Sequence, residues 1–146
     1  MTSSFDKDVF IRIAEAAIGL VALVIGGLIY IRYRNESLLM FDWFQELRIS
    51  NIIGEFRDDA DKSNVYEWVK YNMPAGLWLF SYMFIIDSLW GNDNNKVYKC
   101  FLYVLPFMAI ISEIMQLFKI LPGTYDFMDF FSYILAILMF IIIKKL

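Results

Sequence analysis

Glu113 and Gln116, and across a short turn Asp126 and Asp129, are polar residues in stretches of chain that are otherwise apolar. Each pair is three residues apart, which on a helix puts both members on one face. The turn Pro122-Gly123-Thr124-Tyr125 makes the two helices antiparallel neighbours, so their polar stripes should face one another rather than lipid. Ser132 extends the second stripe by three residues. Ser81, with Trp78 one turn before it, reaches a similar depth from another apolar run.

Three chemistries suit such a cluster. Asp126 or Thr124 can cap a helix while Glu113 hydrogen-bonds across the hairpin, a purely structural role. The cluster can hold the head of a lipid, amphiphile or envelope precursor, with Trp78 helping. Or Glu113, Asp126 and Asp129 can hold a divalent cation for work on lipid phosphate, since hard oxygen ligands suit Mg2+. Phosphate chemistry usually adds Arg or Lys clamps, and only Lys119 is near, which ranks this enzyme reading last. Histidine is absent, which removes imidazole bases, Ser-His and Cys-His pairs, and His-bearing zinc sites. The single cysteine, Cys100, has no internal partner and reads as a small apolar residue at a helix start. With no nucleophile-base pair in view, binding is favoured over catalysis, and no cofactor or resident metal is expected.

The elements that position these residues follow from composition. Of 146 residues 60% are hydrophobic and 18% aromatic, and the mean hydropathy is +0.54. So short a chain cannot hide that much apolar surface in a globule, so one membrane domain covering residues 1–146 is expected. The 13 basic and 16 acidic residues give a net charge of -3, with no basic field for nucleic acid. Four apolar runs, about 13–31, 74–90, 97–121 and 127–143, predict an all-α fold, a four-helix transmembrane bundle with both termini on one side. A cleavable signal peptide competes for the first run, but Asp6, Asp8 and Glu15 dilute its positive flank and it ends in Arg32-Tyr33-Arg34. Asn72 and Pro74 suit the opening of the second run as cap and early proline, and Gly91 to Asn95 reads as its closing turn. Pro106 should kink the third run. Between runs one and two, Met40, Phe41, Phe44 and Leu47, then Ile49, Ile52, Ile53 and Phe56, recur at helical spacing, predicting an amphipathic interfacial segment over about 37–57. Residues 58–64 read as a solvent loop.

Other polar residues in the runs read as structural. Glu15 shares a face with Gly19, Ala22 and Gly26, a small-residue stripe for close helix packing, within the chain or in a homo-oligomer or membrane complex. Asp87 is one turn from Trp90 and should reach the interface, while Lys144 and Lys145 should sit among headgroups. Basic residues divide almost evenly between the two sides. Discounting those inside the amphipathic segment tilts the termini toward the cytoplasm of a bacterial inner membrane.

The pattern Ser112-Glu113-Ile114-Met115-Gln116, the turn, then Asp126-Phe127-Met128-Asp129 resembles the VanZ-like family of small bacterial membrane proteins. Tyr71-Asn72-Met73-Pro74-Ala75-Gly76-Leu77-Trp78 is similar to the opening of a span in its short members. Thr124 stands where the family often has Arg, and Phe131 to Ala136 lacks its Asn and Gly. The resemblance implies a cell-envelope role, the family being named for a member associated with resistance to the antibiotic teicoplanin, and it supplies no reaction. Against this leading reading stands an interaction protein, either a self-assembling membrane effector, for instance in phage defence, or a small subunit of a membrane complex.

Overall fold

The structure is a computed structural model that describes residues 2–58, 60, 64–90 and 95–145. The described residues form seven helices and no strand: α1 Thr2–Tyr33, α2 Leu39–Glu46, α3 Ser50–Arg57, α4 Glu67–Tyr71, α5 Met73–Trp90, α6 Lys96–Leu117 and α7 Phe127–Lys145. Three stretches, Asp6–Tyr33, Lys96–Leu117 and Phe127–Lys145, are long and apolar enough to cross a membrane. Their outward faces carry exposed Val21, Val24, Phe107, Met108, Leu138 and Ile142, as lipid-facing helices should. Residues 59, 61–63 and 91–94, which the sequence assigns to a solvent loop and a turn, lie outside the described residues.

The second apolar run is α5, and it is the axis of the molecule. α1, α4, α6 and α7 all pack on it. That position explains its composition, because neighbours shield Ser81, Asp87 and Ser88, all buried, from lipid. Met83 and Phe84 of α5, Leu102 of α6 and Phe140 of α7 form the buried core. The Phe84 ring meets Phe140 edge-on at 5.1 Å. Lipid is as apolar as this core, so close packing and polar contacts must hold the helices together. α1 supplies the first of these: its stripe of Gly19, Ala22 and Gly26 lies on α5 within the same chain. A Cβ on Gly19 would stand 3.1 Å from the Ser81 carbonyl oxygen, and one on Gly26 would stand 2.9 Å from the Trp78 ring.

The third run is shorter than its apolar length suggests. The helix passes unbroken through Pro106, which is buried, and the Tyr82 hydroxyl donates to the Phe101 carbonyl in the turn before it. It then stops at Leu117 instead of Leu121. Lys119 takes the left-handed conformation at φ 57°, with Lys119 N–H on Gln116 O at 2.9 Å and Ile120 N–H on Met115 O at 2.9 Å. That is a Schellman closure with lysine where glycine is usual. α2 ends identically, with Arg48 at φ 58° and Ile49 N–H on Phe44 O at 3.0 Å. Glu113 is therefore four residues from the helix end, about 6 Å deep, and not the roughly 12 Å that an end at Leu121 implies.

The amphipathic segment forms as α2 and α3, followed by the unanticipated short α4. Arginines fix this layer to the bundle by closing open helix C-termini. Arg32 at the end of α1 donates to Phe56 O at the end of α3, while Arg57 of α3 donates to Ile31 O and, at 2.8 Å, to Arg34 O at the end of α1. Arg34 caps α4 at Tyr71 O, 3.0 Å away, and Arg12 caps α5 at Ser88 O (2.8 Å) and Leu89 O (2.7 Å). Each guanidinium satisfies carbonyls that have no intrahelical donor and sits at the negative end of a helix dipole.

Candidate functional site

Asp126 opens α7 as its cap: its Oδ1 accepts the Met128 N–H at 2.8 Å and its carbonyl accepts the Phe130 N–H at 3.2 Å. Its own N–H donates to Glu113 Oε2 at 3.3 Å, across the turn from α6. Glu113 is 5% exposed. Asn72, at the α4–α5 junction, completes the group by giving one amide nitrogen to Asp126 Oδ2 at 2.7 Å and Asp129 Oδ1 at 3.0 Å. The sequence assigns Asn72 to capping α5, but its amide instead ties that helix start to α7. One turn deeper the Trp68 indole of α4 donates to Ser132 Oγ at 2.8 Å, and that hydroxyl donates to Met128 O at 2.8 Å.

Glu113, Asp126, Asp129 and Ser132 thus gather at one end of α7, joined by Asn72 and Trp68. The other three candidates lie elsewhere. Gln116 folds beneath the turn, where Gly123, at φ 129°, leaves only 2.9 Å between its missing Cβ and Gln116 Nε2. Trp78 faces α1, its ring 5.0 Å from that of Tyr30. Ser81, 1% exposed, has a buried hydroxyl without a hydrogen-bond partner, and its carbonyl faces Gly19. Ser81 and Trp78 occupy a face of α5 that looks toward α1, and with α6 ending at Leu117 Ser81 lies farther along its helix than Glu113 does along its own.

Asn72 bridges Asp126 and Asp129 by donating to both, and Glu113 is turned to a backbone N–H. Among the described residues no three His, Cys, Asp or Glu side chains converge on a point that would hold a metal ion. The arrangement is a network of hydrogen bonds with excess negative charge. Replacing Glu113 with Gln should leave stability nearly unchanged, because the amide oxygen still accepts the Asp126 N–H. Glu113→Leu strands that donor and should cost about 1–3 kcal/mol, read by thermal unfolding in detergent.

Beside this network an apolar groove of about 190 Å³ runs between α5 and α7. Gly76 and Phe80 line it from α5 and Leu135, Ala136 and Met139 from α7, with the Trp68–Ser132 pair at its polar end. Gly76 makes the two helices nearly touch there: a Cβ would stand 2.9 Å from the Ser132 carbonyl oxygen.

At the opposite end of the bundle a second polar group gives Asp87 and Lys144 partners within the protein, which their spacing did not predict. Lys144 of α7 pairs with Asp87 of α5 at 2.6 Å and with Glu15 of α1, and the Tyr98 hydroxyl of α6 donates to Asp87. Asp87 is 3% and Glu15 8% exposed, so each needs this cation. The long aliphatic stem lets Lys144 turn inward from the end of its helix.

Family models, characterised proteins and solved structures were compared with the chain, and none matches.

Proposed function

We propose that the chain is a VanZ-like, four-span membrane protein that takes the apolar chain of an amphiphile into the α5–α7 groove. The head is then held at Asn72, Asp126 and Asp129. The observation that carries this is the continuity of the two environments: an apolar channel ends at Trp68 and Ser132, and the carboxylate pair begins one turn beyond. Two aspartates near the single guanidinium of Arg34 leave net negative charge, which repels phosphate and attracts amines and hydroxyl donors, so the ligand is a lipid or envelope precursor whose head presents such donors. Kinship with the family is supported by the meeting of its scattered motif: Glu113 closes on the backbone of Asp126, and Asn72 reaches both aspartates. α5 serves as the fourth span, since its 18 residues extend about 27 Å and its polar side chains turn to protein.

The test is photolabelling of purified protein with a long-chain amine carrying a photoreactive tail. Label should appear on α5 and α7 around Phe80 and Met139, and an acid of equal chain length should label less. Ala136→Phe, which fills the groove, should abolish the labelling while the folded fraction is checked by circular dichroism. Label spread over the outer faces of α1 and α6, or unchanged in Ala136→Phe, would refute the groove as a site.

A further inference from the structure

The end of α1 carries a different pocket, and its chemistry is the reverse of the acidic network. About 620 Å³ in volume, it is walled by Arg34 and Arg57, the rings of Tyr30, Tyr33 and Tyr71, and Asn35. Arg34 lies over two of those rings, 5.1 Å from the centre of Tyr30 and 5.7 Å from that of Tyr71. Among the described residues the one carboxylate in the wall is Glu36, 3.3 Å from Arg57 Nε and with a side chain 73% exposed, so water screens it.

The arginines are only partly occupied by their capping bonds. Arg34 spends one terminal nitrogen on Tyr71 O, and its Nε–H is buried without a hydrogen-bond acceptor. A buried donor so placed is costly until an acceptor arrives. Depth indicates which acceptor that is. The apolar stretch of α1 ends at Ile31, so Arg34 and the three tyrosines stand at headgroup level, where tyrosine rings and guanidinium groups concentrate.

We propose that this pocket binds a phosphate group through Arg34 and Arg57, with the tyrosine rings enclosing whatever the phosphate carries. Guanidinium forks match phosphate oxygens in charge and geometry. Two sources present that group here, an anionic lipid head or a soluble phosphate. The site differs from the groove in recognising the opposite charge and lies on the α1 side of the α4–α5 junction, with Arg34 near enough to Asp129 for the two charges to act on one another.

Thermal unfolding in a non-ionic detergent tests the assignment with three additives: phosphatidylglycerol, the phosphate-free diacylglycerol of the same chains, and inorganic phosphate. Phosphatidylglycerol should raise the unfolding temperature saturably and diacylglycerol should not. A rise with inorganic phosphate as well would identify the phosphate group alone as sufficient. A rise with the lipid only would identify the lipid as the source. Arg34→Gln should weaken the phosphatidylglycerol effect roughly tenfold or more in concentration. Arg12→Gln is the control, since Arg12 also caps a helix but at the far end of the bundle, and it should keep the full effect. Equal shifts with phosphatidylglycerol and diacylglycerol, or equal losses in the two variants, would overturn the proposal. The wild-type comparison decides even if Arg34→Gln does not fold.

Discussion

Lys144→Met should be among the most damaging single substitutions in this chain, costing about 3 kcal/mol or more. The lysine is the cation shared by Glu15 and Asp87, which reach it from two other helices and are almost fully enclosed. Removing it leaves two carboxylates facing each other in a low-dielectric interior, with the Tyr98 hydroxyl as the remaining side-chain donor to Asp87. Lys144 is 35% exposed, so water entering the gap recovers part of the loss and keeps the estimate at the lower end for buried pairs. Unfolding by a denaturing detergent reads the change. The triple variant Glu15→Gln, Asp87→Asn, Lys144→Met should regain most of it, because neutralising every member removes the uncompensated charge. A single variant as stable as wild type would show that the ion group does not hold the helices together.

Gly76→Val should have the next largest effect, about 1–3 kcal/mol or beyond. The added atoms would meet the Ser132 carbonyl oxygen at 2.9 Å and Ser132 Cβ at 3.1 Å. Backbone cannot swing aside as a flexible side-chain tip can, so α5 and α7 must separate. Separation also pulls Ser132 from the Trp68 indole and opens the groove at its polar end. Gly27→Val is the matched control, since a Cβ there has nothing within 4 Å. The two variants have equal changes in side-chain volume and similar losses of backbone freedom. Equal melting temperatures for the pair would show that α5 and α7 are not in close contact.

Apolar run lengths and turn residues were enough to locate α5, α6 and α7 to within a few residues, and helical spacing of Phe41, Phe44, Ile53 and Phe56 located α2 and α3. The end of α6 was not legible. The visible breakers are Pro122 and Gly123, whereas the residue that enters the left-handed region is Lys119, which carries no such signal. Glu113, Asp126, Asp129 and Ser132 fall together because a short hairpin fixes which faces meet. Nothing local fixes which face of α5 meets α7, and so Ser81 and Trp78 turn to α1 and Asn72 reaches the network instead. Lys144 and Glu15 are 129 residues apart, and their pairing depends on the crossing of α1, α5 and α7, which no spacing encodes.

Synthesis order gives that last pairing a further meaning. α1 and α5 are made well before α7, so Glu15 and Asp87 exist in the nascent chain without their cation. A carboxylate alone in hydrocarbon is expensive, which keeps those helix ends near the headgroups until Lys144 emerges and α7 docks on α5. A chain that has not yet made α7 therefore carries two acids without the cation that the finished bundle gives them.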